Sequence, residues 1–203
     1  MITTKYSELC NTPSDINEHL PTLARYASEC TTITECGVRS VVSSYAFAYA
    51  LKSKPDARLT QVDLDWHPNI AVFQKDCAKE GLRTNFYGMS DLECPLEQTD
   101  MLFLDTWHVY GHLKRELARW HPYVKKYIAM HDTVVDGIHG ETVRLGSDAE
   151  KQSRESGIPV AEILKGLMPA IDEFLREHPE WVIHQHYTNN NGLTILTRRN
   201  ISE

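Results

Sequence analysis

The stretch Met101–His108, with the sequence MLFLDTWH, decides how this chain is interpreted. It is a short apolar run that ends on an acid, Asp105, with Trp107 and His108 just behind it. Such a run, bounded by polar residues, is typical of a buried strand, and open α/β sheets bind ligands where their strands end. An acid, an aromatic ring and an imidazole at such an edge suit ligand binding and proton transfer. The alternative is that Asp105 only caps the next helix and that His108 lies in its first turn.

The composition is that of one globular domain with a sizeable core. Of the 203 residues 41% are hydrophobic and 24% are charged, and the net charge is −7. Since there is no basic run and no long apolar stretch, we expect neither nucleic acid nor a membrane as a partner. The N-terminus lacks the features of a signal peptide and the five cysteines form no CxxC pair, which predicts a reducing, cytoplasmic location. The sequence leaves a homo-oligomer open.

Apolar runs alternate with amphipathic segments, which predicts parallel strands joined by crossover helices. The predicted strands are Thr31–Glu35, Arg58–Leu64, Arg83–Tyr87, Met101–Asp105 and Lys126–His131. The predicted helices are Ile16–Cys30, Val42–Leu51, Pro68–Glu80, Val109–His121 and Val160–His178. An Asn-Gly step, a strong signal for a tight turn, separates Trp181–Tyr187 from Gly192–Arg198. These last two segments are therefore predicted to form an antiparallel hairpin.

The segment Thr133–Pro159 interrupts this alternation. It contains four glycines and many polar residues, and it is long for a connection without regular structure. Long loops of this kind are usually functional lids or disordered. We expect it to cover the site and to contact the substrate through Glu141 and Arg144.

Polar residues also follow the other predicted strands. Gly37, after the first strand, would let the backbone approach a ligand closely, although an ordinary turn would look the same. Asp63, after the second strand, could accept hydrogen bonds from ribose hydroxyls or cap the helix that begins at Pro68. Gly88–Asp91, after the third strand, could meet an adenine ring or form a plain turn. The chain has neither a GxGxxG motif nor a Walker loop.

Asp105 is predicted to lie beside His131-Asp132-Thr133, which ends the neighbouring strand. Two adjacent strand ends would bring oxygen and imidazole groups together, and carboxylate oxygens suit Mg²⁺. The alternative is that Asp132 caps the following loop and that His131 is simply buried.

A rival hypothesis is a zinc site on one helix face. His108, His112 and Glu116 follow one another at a spacing of four residues, which places them on one side of a helix. The sequence HVYGH does not contain HEXXH, however, and ten histidines make chance pairs common.

The order of these features resembles the class I S-adenosylmethionine-dependent methyltransferases. The likeness is greatest to the metal-dependent small-molecule O-methyltransferases, similar to catechol O-methyltransferase, and it extends more loosely to the cephalosporin hydroxylase-like group. It implies a Rossmann-like three-layer α/β sandwich whose mostly parallel seven-stranded sheet ends in an antiparallel hairpin. It also implies a single domain over 1–203, with an N-terminal helical segment over 1–30 and an active-site lid over 133–159.

The resemblance assigns roles to individual residues. It implies that Ser43 holds the carboxylate of the cofactor, that Asp63 binds its ribose and that Trp107 packs on its adenine. It further implies that His108 is the general base. The implied cofactor-binding residues are Glu35, Gly37, Ser43, Asp63, Leu64, Ser90, Asp91, Asp105 and Trp107. The implied ligands of Mg²⁺ or another divalent metal are Asp105, His131 and Asp132.

The chain departs from this family pattern at two places. His108 stands where the family has a lysine base, and its ordinary pKa of about 6.5 suits proton abstraction near neutral pH. His131-Asp132-Thr133 stands where the family has an Asp-Asp or Asp-Asn pair. We therefore expect an S-adenosylmethionine-dependent O-methyltransferase whose acceptor is a small polar molecule, a sugar or nucleotide sugar first. The alternatives are a cephalosporin hydroxylase-like enzyme and a non-catalytic cofactor-binding protein.

Overall fold

The computed structural model describes residues 1–199 and contains one seven-stranded sheet. Its strands are β1 Thr32–Cys36, β2 Arg58–Asp63, β3 Arg83–Gly88, β4 Thr99–Leu104, β5 Val124–His131, β6 Trp181–Tyr187 and β7 Leu193–Arg198. The order across the sheet is β3-β2-β1-β4-β5-β7-β6. The first five strands are parallel to their neighbours, whereas β7 runs antiparallel to both β5 and β6. The predicted parallel sheet with a closing antiparallel hairpin is confirmed.

Helices cover both faces of the sheet. They are α1 Ile2–Asn11, α2 Leu20–Ala27, α3 Val42–Leu51, α4 Pro68–Lys79, α5 Tyr110–Trp120, α6 Glu141–Arg144, α7 Ala149–Ser156, α8 Val160–Ile163 and α9 Leu167–Glu177. One buried apolar cluster packs α1 to α4 on one face, and a second packs α5 and α9 on the other. All six residues of β4 are buried, because this strand lies in the middle of the sheet between two helical layers. This explains the apolar run that opens MLFLDTWH.

The N-terminal segment differs from the single predicted helix over Ile16–Cys30. A short 3-10 helix, Asn17–His19, comes first, and α2 then begins afresh with a proline in its first turn. The preceding helix α1 was not predicted, and only one of its residues, Ile2, is buried. Tyr6, Leu9 and Cys10 follow Ile2 at helical spacing and pack partly buried against the same core, a pattern that the sequence analysis overlooked.

The segment after β5 also differs from the prediction. The expected lid, Thr133–Pro159, is not structureless, since it contains α6 and α7. The expected helix Val160–His178 is divided into α8 and α9. The break falls at Gly166, where a Cβ would overlap the backbone of Asp136 and Gly137. Close contact between two backbones therefore ends one helix before the next begins.

The ends of β1 and β4 meet at a single glycine. Gly37 has a φ of 86°, and a Cβ there would overlap the carbonyl oxygen of Asp105. The Asp105 amide donates to the Cys36 carbonyl (2.9 Å), so the pairing of the two strands continues past their ends. Only glycine fits both the backbone angle and the space. Within residues 1–199 there is no helix with the length and apolarity that crossing a membrane requires.

Candidate functional site

A cavity of about 700 Å³ opens at the carboxyl edge of the parallel strands. The turns after β1, β2, β3 and β4 form its floor, and residues of α6 and of the segment around α7 form its opposite wall. Most of the residues implied to bind the cofactor line this one cavity. They are Gly37, Asp63, Leu64, Ser90, Asp91, Asp105 and Trp107.

The carboxylate of Asp63 organises the turn after β1. Its Oδ2 accepts hydrogen bonds from the amides of Val38 (2.7 Å) and Arg39 (2.8 Å). Its Oδ1 accepts one from the amide of Asp65 (3.0 Å). The side chain thus fixes the backbone on two sides of the cavity while it lines the cavity itself.

Glu35 and Ser43 lie away from the cavity. The Glu35 carboxylate is fully buried, and it accepts hydrogen bonds from Ser43 (2.5 Å), Ser44 (2.6 Å) and Gln61 (3.1 Å). Burial raises the pKa of Glu35 to about 7, although these three donors oppose the shift. The Ser43 hydroxyl, which was expected to hold the carboxylate of the cofactor, therefore donates to the buried carboxylate of Glu35 instead. In this structure Glu35 and Ser43 bond to each other and do not line the cavity.

His108 lies among four carboxylates that converge from different segments. Its Nε2 is 3.2 Å from Asp105 Oδ1. Its Nδ1 is 3.0 Å from Asp132 Oδ2, 3.1 Å from Asp136 Oδ2 and 3.3 Å from Glu141 Oε2. Burial alone would lower the pKa of His108, but the hydrogen bonds to these acids outweigh it and raise the pKa to about 12. The imidazole is therefore protonated at neutral pH, which corrects the expectation of an ordinary histidine pKa.

Asp136 connects this cluster to the lid. Its side chain is fully buried, and it accepts two hydrogen bonds from Arg144, from Nε at 2.6 Å and from Nη2 at 2.8 Å. Arg144, which was expected to contact the substrate, thus forms an ion pair with Asp136 inside the protein. Glu141, on the same helix, does line the cavity. Sequence analysis missed Asp136, because a single acid in a polar loop carries no signal without its tertiary partners.

His131 has a hydrogen-bond acceptor beside each of its ring nitrogens. Its Nδ1 faces Asp105 Oδ1 (3.3 Å) and its Nε2 faces the carbonyl oxygen of Asn190 (3.2 Å). Both partners can only accept, so both ring nitrogens must carry hydrogens. Thr133 is also engaged, since its buried hydroxyl accepts a hydrogen bond from Thr194 (2.9 Å). His131 Nδ1 also lies 3.6 Å from Asp132 Oδ1, and the ligand set Asp105, His131 and Asp132 stays a prediction.

A smaller donor set still fits a divalent metal. Ligand atoms of Asp105, His108 and Asp132 all lie within 4.8 Å of one another. Asp132 has a φ of 57°, and its buried Oδ1 has no hydrogen-bond partner among residues 1–199. A buried carboxylate oxygen that lacks a partner is costly, and a cation between these groups would satisfy it.

Comparison with known proteins identifies the fold. No protein-family model and no curated protein sequence matches the chain. Among solved structures, an O-methyltransferase from Bacillus cereus in complex with SAH is 12% identical, with a TM-score of 0.63 over 97% of this chain and 91% of that one. The O-methyltransferase TomG from Streptomyces achromogenes, involved in tomaymycin synthesis and solved with SAM, is 16% identical, with a TM-score of 0.59 over 93% and 82%.

A third similar structure has a different kind of acceptor. The N-methyltransferase NodS from Bradyrhizobium japonicum WM9, solved with S-adenosylhomocysteine, is 12% identical, with a TM-score of 0.56 over 99% of each chain. At this level of identity the likeness establishes the fold. The chain has the Rossmann-like α/β fold that these methyltransferases share, as the resemblance implied.

Proposed function

We propose that the chain is an S-adenosylmethionine-dependent O-methyltransferase that acts on a hydroxyl of a small polar molecule. The observation that carries this proposal is the single cavity, in which a strand-end acid, a close-approach glycine and an aromatic wall come together. Similar structures solved with SAM or SAH support the same cofactor. We also propose that 1–203 form one methyltransferase domain and that the segment 133–159 is its active-site lid.

The cavity suggests how the cofactor lies. Asp63 would bind the ribose, because its carboxylate faces the cavity and its Oδ1, which accepts only the Asp65 amide, has a second lone pair. Trp107 would pack on the adenine, with Leu64 and Ser90 on the other side. Gly37 would let the methionine part approach the backbone at the ends of β1 and β4. The methyl group would then point toward Asp105 and the lid.

Methyl transfer asks little of the protein beyond orientation and removal of one proton. The acceptor oxygen forms a bond to the methyl carbon as the carbon–sulfur bond breaks, and the hydroxyl proton must leave. We place the proton acceptor in the cluster around His108, of which Asp105 and Glu141 line the cavity and His108 itself does not. In this arrangement the imidazole of His108 already carries two protons, so it can accept another only after it has passed one to a neighbouring carboxylate. The role of His108 itself as the base stays a prediction.

A divalent cation is compatible with this site. Asp105 and Asp132 would hold it, and His108 would become the third ligand by losing a proton as the ion binds. When bound, such an ion would supply positive charge that lowers the pKa of a coordinated hydroxyl. Asp132 already faces the positive charge of His108, and Asp136 faces that of Arg144. The geometry therefore permits a bound metal ion but does not require one.

The acceptor end of the cavity is polar. The charged side chains Arg115, Glu141 and Glu155 line it together with Ser156, and Ile158 is an apolar exception. Charged and hydroxyl groups of this kind favour a substrate with several hydrogen-bonding groups over a flat aromatic one. A sugar or nucleotide sugar is therefore the first acceptor class to test.

Two measurements test the proposed function. We expect isothermal titration to show S-adenosylhomocysteine binding to the purified protein with a dissociation constant in the micromolar range, and we expect labelled methyl transfer to a sugar or nucleotide sugar. A dissociation constant weaker than about 1 mM, or −4.1 kcal/mol, would contradict the cofactor assignment. Binding without transfer to any hydroxyl acceptor, with or without added Mg²⁺, would favour a non-catalytic or cephalosporin hydroxylase-like role.

Substitution of His108 tests the catalytic cluster. We expect His108→Ala to lower kcat by about 100-fold or more, the usual size of an acid–base contribution, with little change in affinity for S-adenosylhomocysteine. His108→Gln, which retains a hydrogen-bond donor without a titratable group, should lose as much. Wild-type kcat in either variant would remove His108 from the catalytic cluster.

A further inference from the structure

A second cluster of metal-ligating side chains lies in the cavity wall, separate from the one around His108. It consists of Asp91, from the turn after β3, and His112 and Glu116, from α5. His112 Nε2 is 3.3 Å from Asp91 Oδ1 and 3.7 Å from Glu116 Oε1. The three ligand atoms all lie within 4.8 Å of one another. The side chains are 9%, 12% and 1% exposed, in that order.

The cluster has polar atoms whose hydrogen bonding is incomplete. Asp91 Oδ2 and His112 Nε2 are buried and have no hydrogen-bond partner in the part of the chain that the structure describes. Arg115 donates to Glu162 and Gly111, and Arg119 donates through Nη2 to the Cys94 carbonyl. Arg119 Nε is also buried without a partner among the described residues. His112 faces both acids, but Asp91 Oδ2 stays buried without a hydrogen bond, which is unfavourable. The missing group is therefore one that can bind an imidazole nitrogen and carboxylate oxygens together.

We propose that Asp91, His112 and Glu116 bind a divalent metal ion of the Zn²⁺ class. One nitrogen and two oxygen ligands at roughly 2.0–2.2 Å, arranged tetrahedrally, would be about 3.4 Å apart. The two separations measured from His112 Nε2 bracket this value. Both Asp91 and His112 line the cavity, so the fourth position faces it. Three protein ligands with one open position are the arrangement of zinc sites that bind a small molecule.

Neighbouring groups hold the ligands in this arrangement. Thr106 donates to Glu116 Oε1 (2.7 Å), and the indole of Trp120 donates to the carbonyl oxygen of Asp91 (3.2 Å). His112 and Glu116 are one helical turn apart on α5, which places them on the same face. Outer hydrogen bonds of this kind orient the ligands of metal sites. The sequence-based zinc hypothesis paired His112 and Glu116 with His108, whereas the structure replaces His108 with Asp91.

The inference does not rest on the proposed function, and a metal titration tests it directly. The full chain, stripped of metal and free of cofactor, would be titrated with Zn²⁺ by calorimetry and with Co²⁺ by visible absorption. We expect a Zn²⁺ site that His112→Ala and Glu116→Gln each weaken at least about 10-fold, whether or not a second ion binds at Asp105 and Asp132. The visible bands of tetrahedral Co²⁺ should disappear in the same variants.

Two further substitutions are matched controls. His121→Ala disturbs a separate group formed by His121, His178 and Glu180, and Asp132→Asn disturbs the group around His108. Neither substitution should change the Zn²⁺ affinity of the site formed by Asp91, His112 and Glu116. Absence of stoichiometric Zn²⁺ binding by the wild-type protein would overturn the proposal, as would equal affinity in wild type, His112→Ala and Glu116→Gln. Thermal unfolding and S-adenosylhomocysteine binding of each variant would show that the fold and the cofactor site persist.

Discussion

At the scale of single residues, the acids of this chain differ in what they contact. Asp63 accepts three backbone hydrogen bonds at the cavity floor. Glu35 is enclosed by two serines and Gln61 below that floor. Asp105 is close to both His108 and His131. The residue type and strand-end position are alike in all three, so only their partners separate a binding role from a supporting one.

Removal of the Asp63 carboxylate should weaken cofactor binding. We expect Asp63→Ala to raise the dissociation constant of S-adenosylhomocysteine at least about 10-fold, or 1.4 kcal/mol, because the ribose acceptor and the support of Val38 and Arg39 are lost together. Isothermal titration measures this. Asp65→Ala is the matched control, since Asp65 also lines the cavity but only its amide contacts Asp63. Equal affinity in the two variants would refute the role of Asp63.

Glu35 should make stability depend on pH. Burial raises its pKa from 4.5 to about 7 in the folded state, so between these values the folded protein binds more protons than the unfolded one. Stability that is fully present below pH 4.5 is therefore lost as the pH rises through 7, by roughly 3 kcal/mol at 1.36 kcal/mol per pKa unit.

The comparison with Glu35→Gln isolates this effect. We expect the free energy of unfolding, from urea titrations at pH 5 and pH 8, to fall more steeply with pH in wild type than in the variant. Parallel pH profiles would show that Glu35 is ionised or accessible in the folded protein.

At the scale of elements, the contact between the ends of β1 and β4 gives the site its shape. Gly37 allows the turn after β1 to pass directly over the backbone of Asp105. The same contact sets Asp63 against the turn and leaves Trp107 facing the cavity. Backbone proximity, together with the hydrogen bonds of the Asp63 carboxylate, therefore brings together the cavity-lining residues that follow β1, β2 and β4.

Substitution of Gly37 should disturb both stability and binding. We expect Gly37→Ala to cost at least about 3 kcal/mol of unfolding free energy, because the added methyl overlaps a carbonyl and the φ of 86° disfavours any Cβ. Gly81→Ala is the control, since Gly81 has a φ of 76° but open space around it, and it should lose only about 1 kcal/mol. Similar losses in chemical denaturation would show that the close contact is unimportant.

At the scale of the whole molecule, the site lies where the sheet edge meets the segment between β5 and α9. The N-terminal segment also reaches this edge, since His19 Nε2 lies 2.9 Å from the carbonyl oxygen of Asn189. The turn between β6 and β7 contacts both His19 and His131, through the carbonyl oxygen of Asn190. Segments far apart in the sequence thus enclose one site, with α6 held over it by the Asp136–Arg144 pair.

Loss of the Asp136–Arg144 pair should loosen the lid. We expect Arg144→Ala to speed hydrogen exchange of the amides in 133–148 by at least about 10-fold, because the two hydrogen bonds to a buried carboxylate are lost. Exchange in β4 should stay unchanged. Lys151→Ala is the control, since Lys151 lies on α7 and makes only an exposed pair with Glu155. Unchanged exchange in Arg144→Ala would show that other contacts hold α6.

The sequence by itself determined the architecture and the location of the site. Alternating apolar and amphipathic segments predicted the parallel order, and Asn-Gly predicted the closing hairpin, because these signals are local. Strand-end acids and Trp107 were found for the same reason. The sequence analysis did not find the element boundaries that long-range packing sets. It missed α1 as a separate helix and overlooked the break at Gly166.

Only the tertiary structure decided what each polar side chain contacts. It placed Ser43 on Glu35, Arg144 on Asp136 and His131 on a backbone carbonyl, where the sequence predicted cofactor, substrate and metal contacts. It surrounded His108 with four carboxylates and so raised its pKa. The physical reason is that hydrogen bonds and charge interactions act over a few ångströms in space, among residues as distant in the sequence as Asp105 and Glu141. Periodicity and spacing fix where a residue lies on its element, and packing fixes its partners.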